Sequence, residues 1–179
     1  LEGVNASRYF SVFDAMILQN KADFHFDGRE KRPPCDPVNA LLSFSYSIFA
    51  NECASALQSV GLDPFVGFMH TDRPGRRSLA LDLMEEFRSV VCDRFVLSLI
   101  NLRQIKAPDF TIKENGAVLL SDDARKAFLT AWQERKKEAV LHPFLGEKCS
   151  WGILPFVQAQ LLARHIRGDL DAYPPYLWR

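Results

Sequence analysis

The 179-residue chain has no run of about 18 apolar residues, which excludes a membrane-spanning helix, and no membrane partner is expected. Its start lacks a basic segment followed by an apolar one, so no secretory signal is visible. Net charge is zero, with 22 basic and 22 acidic residues. That balance argues against a strongly basic nucleic-acid coat protein and leaves room for a localised basic groove. The four cysteines, Cys35, Cys53, Cys92 and Cys149, form no C-x-x-C pair and no zinc spacing. They read as free, buried thiols of a reducing compartment, with the cytoplasm as the expected location. There is no internal repeat, no low-complexity tract and no initiating Met; Leu1-Glu2-Gly3 reads as the interior of a longer sequence whose upstream part is missing. What remains, 47% hydrophobic and 25% charged, is the composition of one globular domain with a real core.

Periodicity predicts a mainly α fold, a single multi-helix domain over 1–179 with one small β-hairpin. Val4, Ala6, Tyr9, Phe10, Phe13 and Ile17 recur at helical spacing over residues 2–19. Glu2 suits the start of that helix, where the dipole favours a carboxylate, and Arg8 is either a phosphate contact or a surface residue. Residues 21–37 read as a loop because Pro33-Pro34 cannot sit inside a helix; its Arg29, Lys31 and Arg32 are either solvated or set against a nucleic-acid backbone. Asp36 caps the next helix, Pro37 occupies its first position and Gly61 stops it. On that helix Asn39, Ser43 and Tyr46 form a polar ridge that either meets a ligand or bonds within the core.

A further helix is expected from Ser78, as N-cap, to about residue 102. Phe110-Thr111-Ile112-Lys113-Glu114-Asn115-Gly116-Ala117-Val118-Leu119-Leu120 reads as a hairpin turning at Asn-Gly. Ser121 caps a helix reaching about residue 141, whose Arg135, Lys136 and Lys137 make a solvated stripe. The last helix spans about 150–167, and Tyr173-Pro174-Pro175-Tyr176-Leu177-Trp178-Arg179 forms an aromatic, proline-locked arm.

The chemistry concentrates in one stretch. Gly67-Phe68-Met69-His70 precedes a loop holding Arg73, Arg76 and Arg77, and the helix from Ser78 carries Asp82, Glu85, Glu86 and Arg88. Leu79, Leu83, Phe87 and Val90 form its buried stripe, leaving Asp82, Glu85, Glu86 and Ser89 on the other side. One imidazole with two carboxylates suits Mn²⁺ or Mg²⁺, and the arginines suit a polyanion. The wheel does not choose between Glu85 and Glu86, and carboxylates on such a face are usually a solvated surface.

Three segments together carry a family resemblance. Asp36-Pro37-Val38-Asn39-Ala40-Leu41-Leu42-Ser43-Phe44-Ser45-Tyr46, Gly61-Leu62-Asp63-Pro64-Phe65-Val66-Gly67-Phe68-Met69-His70 and Ser78-Leu79-Ala80-Leu81-Asp82-Leu83-Met84-Glu85-Glu86-Phe87-Arg88 resemble, in this order, the hallmark segments of the CRISPR-associated (Cas) spacer-acquisition integrases, the first-numbered Cas proteins. Gln158-Ala159-Gln160-Leu161-Leu162-Ala163-Arg164-His165 and Tyr173-Pro174-Pro175-Tyr176 are similar to the variant beside subtype I-C systems. The resemblance covers only the family's C-terminal helical domain; the upstream β-rich, dimer-forming domain has no counterpart. Glu2-Gly3 with Arg8-Tyr9-Phe10 partly matches the family's glutamate-bearing start.

The resemblance implies Glu2, His70 and Glu85 as ligands of Mn²⁺ or Mg²⁺, with Asp82 binding the metal or its water. It chooses Glu85 over Glu86. It implies an endonuclease and integrase of prokaryotic antiviral defence, in which a protospacer 3′-hydroxyl attacks a phosphodiester at the CRISPR repeat. It also implies double-stranded DNA, a second small Cas protein and, in the full-length protein, a homodimeric partner. Arg8, Arg73, Arg76, Arg77 and Arg88 are the implied phosphate contacts or carboxylate partners, and Tyr46 a DNA contact. The rival reading is a non-catalytic helical fragment that binds DNA or protein.

Overall fold

A computed structural model describes residues 2–30 and 32–178, with the side chains of Glu2 and Gly3 outside the description. Lys31 of the basic cluster and Arg179 of the terminal arm lie outside it as well. Among the described residues there are six α-helices and two two-stranded antiparallel sheets, so the mainly α expectation holds. No described helix is long and apolar enough to cross a membrane. Contacts cluster into two compact units, one comprising 1–45 and 93–130, the other 46–92 and 131–179.

In the first unit α1 (Glu2–Ser11) gives way to a 3₁₀ turn at Phe13–Met16, shorter than the predicted helix. Asn101 ends that segment by accepting N–H bonds from Leu18 and Gln19 and donating to the Met16 carbonyl. Phe13 and Phe26 pack with ring centroids 5.0 Å apart, and Phe44, Phe128 and Phe95 form a second aromatic cluster. Asp36 caps α2 (Pro37–Ser59) through the Asn39 N–H at 2.7 Å. Asn39 itself is fully buried; its side chain holds the preceding loop through the Glu30 N–H, the Gly28 carbonyl and Arg29, which also donates to Ser43. For Asn39 and Ser43 the ridge is therefore a core hydrogen-bond set. This unit also holds α4 (Arg94–Asn101), the hairpin β1 (Phe110–Ile112) and β2 (Val118–Leu120), and the start of α5 (Asp122–Lys137). Phe110 pairs with Leu120, and Gly116 turns the hairpin at φ +80°.

In the second unit Gly61, at φ +82°, stops α2, and the Leu62 N–H reaches the Leu57 carbonyl. Phe49 lies against Phe87 and Trp132 at the core, and Phe87 against Tyr176 of the terminal arm. α3 (Ser78–Glu85) is followed by a π-helical turn at Arg88–Asp93, where a single long helix was expected. α5 ends at Lys137, short of the expected 141, because 139–141 form β3 (Ala139–Leu141) paired to β4 (Lys148–Ser150). This second hairpin was not anticipated; Gly146, at φ +67°, closes it. The charged stripe on α5 is partly committed: Lys136 pairs with Glu52 at 2.7 Å and Arg135 lies over Trp151. α6 (Leu154–Ile166) begins later than predicted, after a 3₁₀ turn, and Gly168 closes it. All four cysteines are free; Cys53 and Cys92 are buried as expected, but Cys149 is half-buried and Cys35 exposed.

Candidate active site

The segment between α2 and α3 folds back on the helix that comes after it. Asp63 accepts the Phe65 N–H, and the Pro64 carbonyl accepts the N–H groups of Leu79 and Ala80 at 3.0 and 3.2 Å. Two of the otherwise orphaned donors of α3 are thus satisfied by a carbonyl rather than by the expected serine cap. Ser78 is the first helical residue, not the cap, and its hydroxyl donates to the Thr71 carbonyl.

Asp82 organises the loop. Its Oδ2 accepts the N–H of Phe68 at 2.7 Å and of Met69 at 3.0 Å; its Oδ1 accepts the His70 N–H at 2.9 Å and lies 2.6 Å from His70 Nδ1. The side chain is wholly buried, which corrects its placement on the polar side of the helix. Burial on its own pushes the carboxyl up, but the backbone N–H of Met69, the His70 ring and the other loop donors outweigh it and hold it below the usual range. A carboxylate with four partners has filled its coordination with hydrogen bonds. Gly67 is required by this fold-back: a Cβ there would stand 2.6 Å from Ser78 Cβ and 3.0 Å from Asp82 Oδ2.

His70 is about one-fifth exposed, and with Nδ1 bound to Asp82 its Nε2 is the nitrogen left for a ligand. Glu85 accepts a 2.7 Å bond from Arg88 Nη1, and the same guanidinium lies over the Tyr46 ring. The neighbouring Glu86 is fully occupied elsewhere. It accepts bonds from the Tyr173 hydroxyl, the Tyr176 N–H and Gln158 Nε2, and His142 Nε2 meets Gln158 Oε1 at 3.0 Å. Glu86 is thus spent on fastening the terminal arm, whereas Glu85 is paired with Arg88.

Arg73 and Arg77 are exposed and Arg76 half-exposed; Arg77 donates to Asn51. Arg8, exposed on α1, belongs to the other unit, as does Glu2, whose side chain is outside the described residues. Among the described residues no three His, Cys, Asp or Glu side chains stand close enough to hold an ion. The donor chemistry nevertheless fits Mn²⁺ or Mg²⁺ in two of its members, an imidazole with a fixed free nitrogen and a glutamate. The roles of Asp82 as staple and of Gly67, Glu86, Gln158 and Tyr173 were not read from the sequence. Their partners lie far off in the chain, and the one local cue was a glycine three residues before the histidine.

Comparison with known proteins bears on the family. The family model described as CRISPR associated protein Cas1 matches residues 1–134. CRISPR-associated endonuclease Cas1 2 of Rhodospirillum rubrum is 61% identical over 178 residues, covering 99% of this chain and 52% of the relative. The chain therefore spans about half the length of the curated relatives it first matches. Among solved structures, a casposase bound to integration product superposes with a TM-score of 0.87 at 28% identity, over 99% of this chain and 50% of that one. A Cas6-RT-Cas1–Cas2 complex matches at 0.81 and 27%, over 98% of this chain and 19% of that one. With motifs, fold and relatives in agreement, the chain belongs to the Cas1 family.

Proposed function

We propose that this chain carries the divalent-metal-dependent DNA endonuclease and integrase centre of a spacer-acquisition protein, corresponding to the C-terminal half of the full-length molecule. The observation that carries the reading is the Asp82–His70 pair, a buried carboxylate fixing one imidazole nitrogen three residues before Glu85 on the same helix. This is the support a ligating histidine needs. His70 and Glu85 would hold Mn²⁺ or Mg²⁺, and the family resemblance would add Glu2 as a third donor; Asp82 would act through His70 rather than as a ligand. The cation supplies charge neutralisation at the phosphoryl oxygen and a more acidic attacking hydroxyl.

The chain's own residues do the rest. His70 is held in one tautomer and one orientation by Asp82. Arg88 neutralises Glu85 and holds its carboxylate in place, and its guanidinium is a donor within reach of a DNA phosphate. Arg73 and Arg76 hold the DNA backbone in register. A DNA 3′-hydroxyl attacks phosphorus, a new P–O bond forms, and the bond to the leaving 3′-oxygen breaks; with water in its place the product is a nick. The Cas6-RT-Cas1–Cas2 complex supports a Cas2 protein as partner, the family resemblance supports double-stranded DNA as substrate, and the terminal Tyr173-Pro174-Pro175-Tyr176 supports the subtype I-C variant.

The test is Mn²⁺ titration and strand-transfer assay of the full-length protein against its His70→Ala and Glu85→Ala variants. Both variants are expected to lose more than about 100-fold in Mn²⁺-dependent activity, within the range of a metal's contribution. Unchanged turnover in either would remove it from the reaction.

A further inference from the structure

The staple that fixes His70 also does something the metal reading does not need. It holds large apolar side chains out in solvent. Phe65, Val66, Phe68 and Met69 are 42%, 61%, 64% and 62% exposed, four within five consecutive positions. The backbone N–H groups of Phe68, Met69 and His70 are tied to one buried carboxylate, and the Gly67 N–H to Asp72. The loop cannot roll these side chains inward without breaking buried hydrogen bonds. Scattered surface apolar residues need no explanation, but a group held outward by a buried charge marks a binding surface.

The chain immediately beyond His70 names the partner. Arg73, Arg76 and Arg77 come within eight residues of Met69, while the carboxylates of the loop are turned to backbone N–H groups: Asp63 to Phe65, Asp72 to Gly67. An apolar tip beside cationic side chains is the combination by which proteins stack on bases while holding phosphates. Phe68 is two residues from His70, hence within about 7 Å along the backbone. Whatever Phe68 touches therefore lies one nucleotide or so from the reacting phosphate.

We propose that the loop tip, Phe68 with Met69, is a base-stacking wedge that engages the unstacked base flanking the scissile phosphate. The proposal rests on the DNA-processing reading above. The wedge gives the site a preference for DNA whose bases are already splayed, as at a junction or strand end, over uninterrupted duplex.

The experiment is a cycle on the full-length protein, with a splayed duplex as probe and the same duplex carrying an abasic site at the junction. Phe68→Ala is expected to weaken binding of the intact splayed probe by about 5- to 150-fold, the range for loss of one stacked base. On the abasic probe the same variant changes nothing, and Phe68→Trp restores the intact-probe affinity. Because the ring is exposed, the variant keeps the parent's melting temperature and Mn²⁺ affinity. An equal loss on both probes, or none, overturns the wedge. So does a fall in the mass of the assembly on Phe68→Ala, which would make the tip a protein contact. If the parent cleaves the probe with Mn²⁺ and Phe68 shows no coupling, only the wedge fails; if the parent neither binds nor cleaves DNA, the function proposed above fails with it.

Discussion

At the scale of single residues, Asp82 is the clearest case of a side chain whose chemistry is set by its partners rather than by its helix face. Its four acceptor contacts include two on each oxygen. Asp82→Asn keeps the shape but turns an NH₂ donor toward N–H donors, leaving at least one buried pair unsatisfied. The expected cost is about 1–3 kcal/mol in urea denaturation. Mn²⁺ affinity should fall about 10- to 100-fold, as for other lost supports of a ligating histidine. The pH dependence has a defined sign. A carboxyl held below its usual value contributes stability that is present above the unfolded value of about 3.9 and is lost as pH falls through the folded one. The parent should lose stability on acidification below about pH 4, and Asp82→Asn should lack that part of the profile; identical profiles would contradict this account. Glu86 shows the converse of Asp82. A carboxylate that looks like a site residue by spacing is spent on holding Tyr173, Tyr176 and Gln158.

At the scale of elements, two devices are built around α3: the fold-back loop tied to Asp82 and the terminal arm tied to Glu86. Gly67→Ala would drive a methyl to 2.6 Å from Ser78 Cβ, so the loop must lift from α3. The expected result is a loss of about 1–3 kcal/mol, typical of overpacking, with weaker Mn²⁺ binding; an unchanged melting temperature would show that the loop tolerates displacement. The arm is fastened to Glu86 by the Tyr173 phenol and the Tyr176 N–H, and burial pushes both phenols upward, Tyr176 to about 12 and Tyr173 further still, the latter also through the charge of Glu86. A phenol raised in the folded state stabilises fully below its unfolded value near 10 and loses that contribution as pH rises toward the folded one. Alkaline titration between about pH 10 and 12 should therefore release the arm, read as a change in Trp178 and Trp151 fluorescence, since these rings stack 5.3 Å apart. The elements also show what sequence periodicity can carry. Asp36, Pro37, Gly61 and Gly168 mark helix ends locally, and those ends were legible. The π turn was not, because it adds one residue and slides the apolar stripe: Val91 is buried and Val90 only half-buried, the reverse of the straight-helix reading. Three-residue strands such as β3 and β4 are too short to show alternation, and Val140-Leu141 merely continued a helical pattern.

At the scale of the whole molecule, the family was legible because its three segments stand in order, whereas the role of each residue was not, because Asp82 and Glu86 meet donors 12 to 90 positions away. Electrostatics adds one more consequence at this scale. With 22 charges of each sign, the chain has no net charge to draw DNA, so under the proposed function its share of DNA affinity would rest on a few local phosphate contacts. Each neutralised phosphate lowers log K by about 0.9 per decade of salt. Arg73 and Arg76 stand on the loop that carries His70, while Arg77 is already engaged with Asn51. Joint replacement of Arg73 and Arg76 by Ala in the full-length protein should flatten the salt slope by about 2. Arg77→Ala should flatten it less, because that guanidinium gives up a protein partner when it meets a phosphate. Equilibrium DNA titrations between about 50 and 200 mM salt resolve such differences. A slope unchanged in the double variant, with affinity lowered equally at every salt concentration, would mean that these arginines shape the loop and do not touch the backbone of DNA.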